Sequence, residues 1–280
     1  MNMKTKKWEK QIELTNSGEL SLFFVGTGTA FTKSDYQTNL LVIKGNTHIL
    51  IDCGTLCSYA IVNEYKTPLK SIKNLLITHP HADHIGSLEE FALSGMYITK
   101  AKPAIIISDE FKKKLWNESL KGGIQYSENG KMHFEDYFNQ VKPKLIQKKP
   151  FAIYECNFGD VNIKLFRTRH VTSKPNSLRH SQISYGLIFD DRVLFTGDTQ
   201  FNKAQLEFLI NKYNIETIFH DCDIQGWSGG VHATYDQLCT LPLELKKKIF
   251  LCHYSKTLQI DEPLSDGFAG LTKQGYYYIF

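Results

Sequence analysis

Residues 79–84 read HPHADH and set four metal-binding side chains, His79, His81, Asp83 and His84, within six positions. Borderline divalent metals favour imidazole and carboxylate donors at that density. A lone histidine is more often an ordinary surface or core residue, whereas four such donors in one loop point to an ion among them. The loop also constrains the fold. It follows an apolar run, IKNLLIT, and leads into a helical pattern beginning near Ile85, so the histidines stand at the carboxyl end of a predicted strand.

Three further donors stand downstream, each just after an apolar strand pattern: His170 after IKLFRTR, Asp198 after VLFTG and His253 after KIFLC. Strand ends are where a sheet scaffold presents functional groups. With the loop they make seven donors, enough for two divalent ions sharing one carboxylate, with open positions for water and substrate. Zinc is the expected ion, with manganese as the alternative. Cys53 and Cys57 have no second cysteine pair to complete a tetrahedral site, and the six cysteines form no disulfide framework, so reduced thiols are expected.

The scaffold reads as β-rich at first. LSLFFVGTGTAF suggests a strand entering a Gly/Thr turn, and NLLVIKGNTHILIDCG a pair of strands around a Gly-Asn hairpin. Helical stretches are expected near Leu56 to Tyr65 and over DEFKKKLWNESL, where an Asp is placed to cap the helix, with KPAIIIS as a strand before it. Residues 122–150 are polar, aromatic and poorly periodic, and read as a loop-rich insertion. From Phe151 the β-then-α grammar repeats, with strands up to DDRVLFTGD, the helix KAQLEFLINKY and the strand IETIFHD. No boundary divides the 280 residues, so a single domain over 1–280 is expected.

No apolar run approaches the roughly 20 residues of a membrane-spanning helix, and the basic amino terminus lacks the apolar segment of a secretory signal. A cytoplasmic protein without membrane contact is expected. The net charge of +4 suits an anionic substrate but provides no long basic stripe, which weighs against a large nucleic-acid partner.

The order His-x-His-x-Asp-His, His, Gly-Asp, His resembles the metallo-β-lactamase superfamily from about Leu20 to Phe280. The resemblance implies an α/β (α+β) fold, a four-layer αββα sandwich. It assigns His79, His81 and His170 to a first metal and Asp83, His84 and His253 to a second, with Asp198 of TGDT bridging them. Asp52, in LIDCG, would support the metal loop from behind it. An oxygen-rich second site with a bridging Asp departs from the β-lactamases, so a β-lactam substrate is not expected.

The stretch FHDCDIQGWSGGVHATYDQL resembles the ribonuclease Z and cyclic-nucleotide phosphodiesterase branch. By that likeness Asp221 holds His232, which protonates the leaving oxygen, and His232, Asp221 and Asp83 carry the chemistry. Ribonuclease Z usually has Glu where Asp221 stands. Two alternatives remain open: that His232 caps the helix starting near Thr234, and that His220 is the relevant imidazole. Between His170 and Asp198 there is no room for a tRNA-binding arm, which favours a small substrate over an RNA-processing role. FVGTGTAF, YQTNLLV and GVHATYDQLCTLP are similar to the anti-Pycsar proteins, two-metal phosphodiesterases that open cyclic mononucleotides. That resemblance implies a 3′,5′-cyclic mononucleotide substrate and a homodimer, in which the aromatic segment around Tyr126, Tyr137 and Phe138 covers the mouth of the site.

Overall fold

The computed structural model describes residues 3–174, 177–224, 229–255 and 262–280. They form two compact units, each built on one eight-stranded sheet. No linker composition marks the division between them.

One unit comprises Tyr36–Pro143 with the amino-terminal strands and Gly275–Phe280. Its sheet runs Lys4–Lys7, Tyr276–Ile279, Ser21–Gly26, Asn39–Lys44, Thr47–Ile51, Asn74–Leu76, Ala104–Ile106, Asn139–Val141. The first four pairings are antiparallel and the last three parallel. Ser21–Gly26 and Thr47–Ile51 are buried along their whole length, which is why they read as continuous apolar runs rather than alternating ones. Parallel neighbours require crossovers, and here these are the helical segments from Cys57 to Glu64, Leu88 to Thr99 and Asp109 to Ile124.

The other unit comprises Thr27–Asp35 and Lys144–Gln274. Its sheet runs Lys144–Gln147, Ile153–Phe158, Val161–Arg167, Tyr185–Phe189, Val193–Phe195, Thr217–Asp221, Ile249–Cys252, Gly270–Leu271. The pattern repeats: four antiparallel pairings, then three parallel. The helix Lys203–Lys212 crosses over between parallel strands, and Leu206 and Leu209 pack with Leu194, Ile218 and Ile249. Fully burying each such side chain contributes about 1.5–3 kcal/mol.

Three expectations are corrected. Residues 122–150 are not a loop: they hold a helical turn, Phe134–Tyr137, and an edge strand of each sheet, Asn139–Val141 and Lys144–Gln147. These elements are too short to show a period. Tyr137 and Phe138 are not displayed at the surface as a covering segment requires but are buried at 1% exposure, with the Tyr137 hydroxyl donating to the Ile124 carbonyl at 2.7 Å; Tyr126 is 72% exposed. The cap of the helix Asp109–Leu115 is Ser108, whose Oγ accepts from the Phe111 amide, and not the Asp that follows it.

Candidate metal centre

In the first unit the strand Asn74–Leu76 delivers the chain into Thr78 and His79, and a helical turn begins at Ala82, three residues earlier than its periodicity suggests. That early start puts Asp83 and His84 in the first turn, where an acidic side chain suits the helix amino terminus. His79 and His84 are fully buried and Asp83 nearly so. The His79 Nε2 and His81 Nδ1 atoms face each other 3.0 Å apart. Two ligands at 2.0–2.1 Å from a tetrahedral ion lie about 3.3 Å apart, so the spacing fits a shared divalent cation.

Asp52 stands behind this loop. Its Oδ1 accepts from the Thr78 amide at 2.7 Å, and its Oδ2 lies 2.7 Å from both Thr78 Oγ1 and His84 Nδ1. A carboxylate accepts, so His84 carries its proton on Nδ1 and presents Nε2, 3.2 Å from Asp83 Oδ2. Burial pushes the Asp52 carboxyl upward and His84 opposes it. The turn after Asp52 is equally constrained. Cys53 donates its amide to the His84 carbonyl, and a Cβ on Gly54 would lie 1.9 Å from the Asp83 carbonyl oxygen.

In the second unit His170, Asp198 and His253 each follow a strand, and all three are buried. The His170 Nδ1 donates to the Val231 carbonyl at 2.8 Å, which leaves Nε2 to face Asp198 Oδ2 at 3.8 Å. The His253 Nε2 lies 3.5 Å from the same Asp198 oxygen. Two hydroxyls, Thr168 and Ser184, donate to the Asp198 carbonyl and fix its backbone. Asp198 therefore offers one carboxylate to imidazoles on both sides, as a shared ligand must.

Asp221 and His232 complete this half. Asp221 ends the strand Thr217–Asp221 at 0% exposure, and its Oδ2 accepts from the Thr199 amide at 2.8 Å and from His232 Nδ1 at 2.7 Å. Burial pushes Asp221 upward, but the imidazoles of His232 and His253 together outweigh it and hold the carboxyl below its ordinary range. The His232 imidazole is held above its ordinary range, because the attraction of Asp221 overcomes the burial that opposes it. The ring stacks on His253 at 4.7 Å between centroids. Ligand atoms of Asp198, Asp221, His232 and His253 all lie within 4.8 Å of one another.

Other contacts bear on the two alternatives for His232. The helix Tyr235–Cys239 is capped by Thr234, whose Oγ1 accepts from the Gln237 amide. His220 directs Nδ1 at the Asp221 carbonyl and lines a cavity of about 20 Å³ with Leu194, Leu206 and Leu209, away from the carboxylate. Alternation along a strand explains this: residues 220 and 221 point to opposite faces.

One unit thus presents four of the seven donors after a strand, His79, His81, Asp83 and His84, and the other presents three, His170, Asp198 and His253. The set is rich in imidazole with carboxylates among it, the chemistry that divalent zinc and manganese take. Two contributions were not legible beforehand: the Val231 carbonyl that fixes His170, and Gly54. A backbone acceptor 61 residues away leaves no sequence signal.

Residues 20–278 match the family model described as anti-Pycsar protein Apyc1. A protein of that description from Paenibacillus harenae is 34% identical over 234 residues, covering 84% of this chain and 89% of its own. Another, from Bacillus phage 010DV004, is 31% identical and covers 93% and 98%. Among solved structures, the metallo-β-lactamase fold protein YhfI of Bacillus subtilis has a TM-score of 0.68 at 14% identity, covering 94% of this chain and 100% of its own. The short form of human tRNase Z has 0.60 at 14%, covering 92% and 98%. Both likenesses show the fold.

Proposed function

The chain belongs to the anti-Pycsar protein Apyc1 family, a metal-dependent phosphodiesterase of metallo-β-lactamase fold, and from that premise we propose that it hydrolyses 3′,5′-cyclic mononucleotides to mononucleotides. The observation that carries this reading is the His232–Asp221 pair, 2.7 Å apart beside Asp198 and His253. A ribose oxygen is a poor leaving group unless it is protonated as the P–O bond breaks. With Nδ1 held by a carboxylate, His232 keeps its Nε2 proton for that oxygen. Asp221 stays ionised and fixes the tautomer.

His79, His81 and His170 would hold a first divalent ion, Asp83, His84 and His253 a second, and Asp198 would bridge them; zinc fits the donors. Bound ions would supply a nucleophilic water near neutral pH and offset charge on the phosphoryl oxygens. The described residues between His170 and Asp198 hold one 3-10 turn and two sheet strands, which supports a small substrate over a long RNA.

The test is to strip the protein with chelator, reload it with zinc or manganese, and supply cyclic mononucleotides, bis(p-nitrophenyl) phosphate and precursor tRNA. Linear mononucleotide as the dominant product is expected. Cleavage of precursor tRNA with cyclic nucleotides untouched would replace this reading with the RNA-processing one. The same reading carries a homodimer, and of the rings at Tyr126, Tyr137 and Phe138 it leaves Tyr126, the exposed one, to meet a partner. A light-scattering mass of one chain at micromolar concentration would exclude it.

A further inference from the structure

Phe31 is 89% exposed, the largest exposure among the big apolar side chains of the described residues. Left in water, the ring forgoes the roughly 1.5–3 kcal/mol that burial would contribute. Its position ties it to the donor set. The segment Thr27–Asp35 leaves the strand Ser21–Gly26 and packs with the unit that holds His170, Asp198 and His253. It is tied there at the last donor: the Tyr254 amide donates to the Thr27 carbonyl at 3.3 Å, and Gly28 bridges to Tyr254, the residue after His253.

The segment is stiff at its base. The Thr32 amide donates to the Thr29 carbonyl at 3.2 Å, and a Cβ on Gly28 would meet the Thr32 methyl at 2.5 Å. Phe31 therefore sits at the tip of a tight turn, three residues beyond Gly28, within about 11 Å of chain from it. Tyr254 is itself anchored, its hydroxyl donating to the Thr272 carbonyl at 2.7 Å.

We propose that Phe31 is the platform on which the nucleobase of the substrate stacks, a specificity residue outside the metal and acid machinery. This rests on the cyclic-nucleotide reading above. The ring offers a flat apolar face and no hydrogen-bonding group, so it takes any base and favours the larger purines. Aromatic stacking is sequence-tolerant for the same reason, since every base has a π-face.

The experiment measures kcat and KM of zinc-loaded wild type, Phe31→Ala and Phe31→Trp on 3′,5′-cyclic AMP, on 3′,5′-cyclic CMP and on 1-O-methylribose 3′,5′-cyclic phosphate, which has no base. Phe31→Ala should raise KM for the nucleotides about 5- to 100-fold with kcat held, more for AMP than for CMP, and leave the base-free ester unchanged. Phe31→Trp should restore KM. Equal losses on all three substrates, or no change on any, overturn the platform. A changed solution mass with unaltered KM also overturns it and assigns the ring to contact between copies of the chain. If the wild type cleaves no cyclic nucleotide, both this proposal and the functional reading fall, whereas turnover indifferent to Phe31 removes the platform alone.

Discussion

At the scale of single residues, Asp198 and His232 make opposite predictions. Asp198 offers one carboxylate to imidazoles at 3.5 and 3.8 Å, and under the proposed two-ion site its removal would leave two close cations without a shared counter-charge. Asp198→Ala should lose metal and activity together, as read by elemental emission and turnover; two tightly held ions with normal rates would sink the bridging role. His232 is already hydrogen-bonded to Asp221, so His232→Ala should keep both metals. Its rate on cyclic nucleotides should fall about 10²–10⁴-fold, and less on bis(p-nitrophenyl) phosphate, whose leaving group does not need a proton. Equal slowing on both, or a missing ion, would return His232 to a ligand or structural role.

At the scale of elements, the metal loop is held by its neighbours as much as by its own residues. The turn Asp52–Gly54 is locked against the helical start at Ala82 by the Cys53-to-His84 hydrogen bond and by the absence of a Cβ at Gly54. Gly54→Ala drives a methyl into the Asp83 carbonyl, and backbone on both sides must shift. A loss of about 1–3 kcal/mol is expected, the range of overpacked cores, together with weaker metal retention, seen as a lower Tm and faster loss of metal to chelator. Wild-type metal retention in a folded Gly54→Ala protein would show that the loop is set by its own residues. The strands and helices around this turn were legible, because each carries an apolar run or a period of its own. The strand Lys4–Lys7 was not: it is exposed along its length and is defined by pairing with Tyr276–Ile279, at the far end of the chain.

At the scale of the whole molecule, stability should depend on pH through groups remote from the donors. His48 is buried at 8% exposure, takes the Lys73 amide on Nε2, and is held below its ordinary pKa first by burial and also by the Lys73 charge. A histidine with a depressed folded pKa binds its proton more readily in the unfolded chain. Its contribution is therefore complete above the unfolded value of about 6.5 and declines as pH falls through it. Tm measured from pH 7.5 to 5 should drop less steeply in His48→Gln than in wild type. Parallel slopes would show that His48 is not among the groups responsible.

The sequence by itself determined the donors, their order and their place at strand ends, since each is written in a local run of residues. It also carried the repeated β-then-α grammar, which became two sheets with the same four antiparallel and three parallel pairings. Only the tertiary structure decided which imidazole meets Asp221, that Tyr137 and Phe138 lie inside their unit, and that Thr27–Asp35 packs with the downstream strands. Those outcomes depend on contacts between residues far apart in the chain. Pattern within a short window reports which face of an element is apolar, but not which distant element that face, or a hydrogen-bonding group beside it, will meet.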